Sequence, residues 1–521
     1  MLAKRLLWSL PLIFIGALFY WPLAQVFTLT GVNWRLDSVA LNAIWFTLWQ
    51  AATSTLISLV LALPVAHLGY RRVFAGRSWL RAIITVPFVL PVIVVAISFS
   101  AVQRALGVAS PSAAESIGWI IAAQVFFNVS VAARTIGAAW AALDASTLEA
   151  AKLDGATRLR SLWSVQLPQL ASAALAAGSL IFLYCVTSFG TVLILGGGQV
   201  HSIETEIYFS ITQFLDAGRA GFLAAIQLAL GLLVFVISSR FVVQPAPIDS
   251  DFGGGLPQVS RRDWFSVICS LLVVAALLGP LVAIGLSAFG GASPFANFAN
   301  LAGQGAREVL NISVLDAAAN SARNVVVTVV LAMAFGSLAA RLLSIRRNRF
   351  LELVFLAPLS VSSVVLGLGF LVGFAQPPLN LRESWLAVPL AQTMVVLPLV
   401  VRILLAALEA SDPQLRQAAS VDGANGWQSW WRVELPQIRQ SFATALVFAT
   451  VAGIGEFGTA SLLVYGDQET LPTVLYRLVS RPGGDNFGMA MAASFVLVAF
   501  TLLAVWLAGL TRETEPQPKP H

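Results

Sequence analysis

Charge is scarce in this 521-residue chain. Only 11% of its residues are Asp, Glu, Lys or Arg and 58% are apolar, whereas roughly 25% charged is usual in soluble proteins. That excludes a soluble globular domain of this length, and the chain reads as a polytopic membrane protein. Histidine is limited to His67, His201 and His521, so no His-rich metal site can be assembled from it. The two cysteines, Cys185 and Cys269, fall inside expected helices, which argues against a disulfide framework or a metal cluster. Lysine is limited to Lys4, Lys152 and Lys519, followed by Arg, Leu and Pro. A phosphate-binding loop requires Gly-Lys-Ser/Thr, so the chain lacks that nucleotide motif. A membrane enzyme would need a convergent set of nucleophile, base or metal ligands, and the shortage of His and Cys argues against one.

What abounds is apolar sequence. Runs long enough to cross a bilayer core of roughly 30 Å, about 20 residues each, occur near 6 to 28, 41 to 68, 80 to 103, 117 to 142, 169 to 195 and 219 to 242. Six more lie near 264 to 288, 322 to 344, 350 to 375, 384 to 408, 438 to 463 and 487 to 510. They predict an all-α fold of about 12 transmembrane helices, with the ends left open where proline intrudes, as at Val86 to Pro91. The first run is too long for a signal-peptide core and is followed by Trp34 and Arg35, not by a small-residue cleavage site, so it reads as a retained helix. The formal charge of +6 does not point to nucleic acid, because the basic residues sit in alternate loops, for example Arg71, Arg72, Arg77 and Arg81, then Arg261 and Arg262, then Arg341, Arg346 and Arg349. By the positive-inside rule these loops and the N-terminus are cytoplasmic.

The chain also repeats itself. At an offset of 268 positions, Ala150, Ala151, Asp154, Gly155, Ala156, Ser161, Trp163, Val165, Leu167, Pro168 and Gln169 each meet an identical residue. The same offset pairs Gln124 with Gln392, Arg134 with Arg402, Asp144 with Asp412, Phe189 with Phe457 and Tyr208 with Tyr476. Six helices per half make the repeat parallel. The expected division is a first transmembrane domain over 1–243, a cytoplasmic linker over 244–263, a second transmembrane domain over 264–510 and a disordered tail over 511–521.

Each repeated loop encodes a short helix, a Gly turn and a second short helix. In the first copy Ser146 and Glu149 have the spacing of a capping box and Asp154-Gly155 a stop; in the second Asp412-Pro413 starts the helix and Asp422-Gly423 ends it. Leu167-Pro168 and Leu435-Pro436 then mark re-entry into the bilayer. Such a segment, held between two spans, can dock into a groove on a cytoplasmic partner, or it can be an interfacial amphipathic hairpin.

Glu149-Ala150-Ala151, Gly155 and Val165-Gln166-Leu167-Pro168 resemble the EAA loop of ABC importer permeases of the binding-protein-dependent type. The second copy keeps Ala418-Ala419, Gly423 and Val433-Glu434-Leu435-Pro436 but opens with Gln417. The fused arrangement is similar to thiamine and ferric-iron permeases. The resemblance implies a permease of the bacterial inner membrane, with no cofactor of its own. A separate ATPase dimer, holding ATP and Mg, would take the loops on the cytoplasmic face, and a substrate-binding protein would deliver cargo on the outer face. The rival reading is a secondary transporter with two parallel six-helix halves, which does not require the long repeated loop.

Charge inside a span is costly and often functional. Glu456, in Gly455-Glu456-Phe457-Gly458, has Ser188 of Ser188-Phe189-Gly190 as its repeat partner. These stretches are expected to line the pathway from opposite sides, with Glu456 either attracting a cationic cargo or bonded structurally to its neighbours.

Overall fold

The computed structural model describes residues 2–513 except 109, 240–256, 292, 347, 376–379, 382–383 and 482. Expected linker positions 244–256 and tail positions 514–521 lie outside the described residues. Among the described residues ten helices are long and apolar enough to cross a membrane, and two bent pairs, each taken as one span, bring the total to twelve. Spans 1 to 6 are Ser9–Thr28, Ser38–Arg71, the pair Arg77–Val89 with Val92–Ala105, Ala113–Ala141, Leu162–Val186 and Ala217–Ser238. Spans 7 to 12 are Arg261–Ala288, Val314–Arg346, the pair Arg349–Ser360 with Ser363–Gly373, Ala387–Ala410, Arg439–Leu463 and Gly484–Trp506.

Spans 3 and 9 bend by 104° and 97°, for different reasons. Pro91 lacks an N–H and forces Leu90 into an extended conformation (φ −72°, ψ 143°). In span 9 Val361 is extended (φ −100°, ψ 130°) and the Ser362 hydroxyl accepts the Val364 N–H at 3.2 Å, restarting the helix. Spans 5 and 11 break as well: Leu167–Val186 is followed by a helix over Phe189–Leu195, and Arg439–Ile454 by one over Gly458–Leu463.

The halves are interlocked. Span 1 leaves its own half to pack against spans 8, 9 and 10, with Phe14 stacked on Phe335 at 3.8 Å and the Tyr20 hydroxyl donating to the Val354 carbonyl at 3.0 Å. A Cβ at Gly369 or Gly373 would come within 3.1 Å of the Pro22 backbone, so glycine is what permits this approach. Span 7 reciprocates against spans 2 and 3, where Arg72 and Asp263 form a 2.8 Å ion pair. Within each half the equivalent span pairs 2 with 4 and 8 with 10 pack closely.

The repeat reaches individual hydrogen bonds. Short helices Ile203–Thr212 and Leu471–Ser480 follow the broken spans, each opened by a capping box, Ser202 with Thr205 and Thr470 with Thr473. The Ile203 N–H donates to the buried Thr47 hydroxyl at 3.0 Å, and the Leu471 N–H to Ser321 at 2.8 Å. Some polar groups within the spans tie neighbouring helices together: Gln50 donates to the Cys185 carbonyl at 2.9 Å and Thr328 to Gln392 at 3.3 Å.

Candidate functional site

Two features recur in both halves and lie at opposite ends of spans 5 and 11. At 1.5 Å per residue, the 20 residues of Leu167–Val186 separate them by about 30 Å.

The first is the repeated loop. Helix Ala145–Leu153 turns at Gly155 (φ +76°), and Pro413–Val421 turns at Gly423 (φ +80°). The closing bonds coincide: Asp154 N–H to the Ala150 carbonyl at 2.9 Å and Ala156 N–H to Ala151 at 3.0 Å in one copy, Asp422 to Ala418 at 2.9 Å and Ala424 to Ala419 at 2.9 Å in the other. Glu149, Ala150, Asp154, Gly155 and Pro168 are exposed while Ala151 and Leu167 are half-buried. Gln417, Ala418, Asp422, Gly423 and Pro436 are exposed while Ala419 and Leu435 are half-buried, the same pattern. The loop thus presents one face twice.

One local expectation is corrected. The first copy is capped by Asp144, not by a Ser146–Glu149 box. Ser146 lies inside the helix and gives its hydroxyl to Asp144 at 2.8 Å and its N–H at 2.9 Å, and those two bonds hold the Asp144 carboxyl below its usual range. Asp412 accepts the Gln414 N–H at 2.8 Å in the same way. An aspartate two residues ahead of a free N–H reaches it, which is why both copies use the repeated residue. The prolines stand where each repeated loop runs into the following span. The second short helices, Arg158–Ser161 and Gly426–Ser429, widen into π turns at Leu162–Gln166 and Trp430–Glu434, and the chain passes into helix with Pro168 and Pro436 in its first turn.

The copies differ where they are fastened to the spans. Arg341 of span 8 grips Glu434 with two bonds, 3.1 and 2.7 Å, and donates to the Gly426 carbonyl at 2.7 Å. Ser429 donates to the same carboxylate at 2.9 Å, and the Arg341 guanidinium lies 5.4 Å from the centre of the Trp430 ring. At the equivalent position Gln166 accepts from the Trp140 indole at 2.9 Å and donates to Ser161 at 3.5 Å. Sequence reasoning missed this anchor, although Gln166 against Glu434 inside an otherwise repeated Val-x-Leu-Pro was a usable signal.

The second feature is a row of rings between the halves. Phe189 and Phe457, repeat partners, stack with centroids 5.4 Å apart and planes 19° from parallel. Tyr208 backs Phe189 at 5.4 Å and Tyr476 backs Phe457 at 5.6 Å. The tyrosine hydroxyls turn to Thr212 and Ser480, again repeat partners. Phe189 and Phe457 are 3% and 5% exposed, so the row is closed. Four helix breaks converge here. Phe189 and Phe457 follow the breaks of spans 5 and 11; a Cβ on Gly455 would lie 2.7 Å from Pro91 at the bend of span 3; and Ser363 at the bend of span 9 bonds Glu456.

Of the four expected pathway residues, the structure therefore brings Phe189 and Phe457 face to face. Glu456 is buried and turned aside: its carboxylate accepts the Thr459 N–H at 3.0 Å and the Thr459 and Ser363 hydroxyls, capping the helix that starts at Gly458. Ser188 is half-buried at the matching break, without a side-chain cap bond. A second carboxylate, Glu204, is buried against the same bend through Ser362 and Gln227, and burial pushes it up to about 8.

A family model described as binding-protein-dependent transport system inner membrane component matches residues 54–245 and 332–513. The chain belongs to this family. The family match occurs twice, once per half, and takes in both loops and all four rings. Spans 1 and 7, which cross to the opposite half, precede the matched stretches. The chain is similar to the thiamine transport system permease protein ThiP of Escherichia coli K12, 28% identical over 485 residues, covering 90% of this chain and 89% of that protein. The namesake of Haemophilus influenzae is 25% identical over 513 residues (93% and 92%), and that of Brucella abortus strain 2308 is 26% identical over 498 (90% and 88%). The fold expected from the sequence, a fused two-domain ABC importer permease with two like halves, is thus what the family and the relatives support.

Proposed function

We propose that this chain forms the whole translocation pathway of an ATP-driven thiamine importer. The observation that carries it is the pairing, in each half, of an exposed docking loop with an axial ring about 30 Å away along one helix. Thiamine is supported by relatives of that name that match nearly the full length of both chains; ferric iron, the other expected cargo, gains no support from them. In this reading the loops around Gly155 and Gly423 each seat one subunit of a separate ATPase dimer, which binds the ATP and Mg. They lie with the N-terminus on the cytoplasmic side of a bacterial inner membrane, and a substrate-binding protein delivers thiamine at the opposite end. Closure of the ATPases draws the loops together and biases the spans toward the state in which Phe189 and Phe457 part.

The test is reconstitution of the chain with its ATPase and binding protein in proteoliposomes, followed by uptake of labelled thiamine. Uptake that requires ATP and the loaded binding protein is expected. Uptake driven by an ion gradient with no ATPase present would establish the secondary-transporter reading instead.

A further inference from the structure

The gate has a chemistry of its own. Two nearly parallel phenyl rings, stacked on each other in this closed state, would become the walls of a slot once the halves part, and each is backed by a tyrosine ring whose hydroxyl is turned away to Thr212 or Ser480. What these residues offer to anything crossing between the halves is aromatic faces. Glu456, the nearest carboxylate in sequence, has its oxygen atoms engaged by Thr459 and Ser363. A planar ring in the slot would keep carbon contacts of about 3.5–4.0 Å on both faces. A positively charged ring would gain further from the negative faces of both phenyl groups, the more so where water is excluded.

We propose that Phe189 and Phe457, backed by Tyr208 and Tyr476, are a two-fold aromatic clamp that recognises a planar aromatic cation as it passes between the halves. The clamp rests on the reading of the chain as an importer pathway and adds a class of cargo chosen by the permease itself. Because the rings are repeat partners, both faces of the cargo meet the same surface, and neither half alone makes the site.

The experiment uses the complete transporter in proteoliposomes. Phe457→Leu and Phe189→Leu keep bulk and remove the π face; Phe457→Tyr and Phe189→Tyr keep it. ATP-driven thiamine uptake should fall about tenfold in each leucine variant, the equivalent of about 1.4 kcal/mol, and stay within about threefold in the tyrosine variants. Stimulation of the ATPase by loaded binding protein should persist in all four. Leucine variants that carry thiamine at the wild-type rate would overturn the clamp. Should they fail to assemble, Phe457→Trp supplies a second reading: with the ATPase trapped closed, thiamine should quench its emission and choline, a cation without a ring, should not; equal response to both overturns the proposal. A wild-type transporter that carries some other solute and not thiamine would sink the thiamine reading alone. The clamp then stands if that solute is a planar aromatic cation and falls if it is not.

Discussion

In the second half of the molecule the repeated loop is bolted to span 8 by an ion pair, half-buried Arg341 with buried Glu434 at 2.7 Å; in the first half the same position is held by a neutral bond from Trp140 to Gln166 at 2.9 Å. The backbones are otherwise alike, down to the two bonds that close each Gly turn. A loop that transmits a push must be rigidly joined to what it moves. The repeat thus keeps the exposed face while the joints differ, so in the proposed importer equal ATPase movement on both sides need not move the two halves equally.

The largest expected effect breaks the charged joint. Removing one member of a buried pair leaves an unpaired charge and costs about 3–5 kcal/mol, so Arg341→Met should lower the thermal unfolding midpoint sharply and abolish ATP-driven uptake. Gln166→Leu forfeits a neutral bond of about 1 kcal/mol and should leave most uptake intact. Similar losses in the two variants would erase the distinction.

Next comes the docking face. Trp431 and Trp427 form an exposed T-shaped pair, with centroids 5.4 Å apart, where the first copy has Trp163 and Leu159. Trp→Ala at an interface anchor costs about 2 kcal/mol or more, so Trp431→Ala should weaken ATPase binding roughly 30-fold. Trp163→Ala should weaken it less, as measured by co-purification at graded ATPase concentration.

Gly155→Ala and Gly423→Ala should by contrast act equally. Both positions have left-handed φ, and a Cβ added at either would meet nothing within 4 Å, so the cost is backbone strain of about 1–2 kcal/mol. An unequal shift in unfolding midpoint would show that the turns are not equivalent. The smallest effect is expected from Asp144→Ala and Asp412→Ala, which remove matching caps. The Asp144 carboxyl is held below its usual range, so its contribution is present above its unfolded pKa and lost as pH falls through the folded one. A pH titration of unfolding should show the wild type and Asp144→Ala converging under acid.

Much of this was legible in sequence. Twelve apolar runs gave twelve spans because length and hydrophobicity alone decide what can cross a bilayer, and the offset of 268 aligned the loops and the rings in advance. Pro91 announced the bend in span 3 at the bend itself; in span 9 the proline, Pro358, lies three residues ahead of the extended Val361 and the Ser362 cap that make the bend, so it marked the region and not the point. Glu456 drew attention as a charge inside a span, yet its role as a cap depends on a helix break that no periodicity reveals. The Arg341–Glu434 joint spans 93 positions, and the stacking of Phe189 on Phe457 joins positions 268 apart. Pairings so distant are set by tertiary packing, beyond the reach of local pattern.

In the proposed importer, movement of the loops must reach the rings, and a distance tests this most directly. Gln199 and Asp467 are exposed repeat partners just beyond the helices that carry Phe189 and Phe457. Spin labels there, read by pulsed dipolar spectroscopy in the assembled transporter, should move apart when the ATPase is trapped closed, and should fail to do so with Arg341→Met. A distance that stays the same on trapping in the wild type would contradict that coupling.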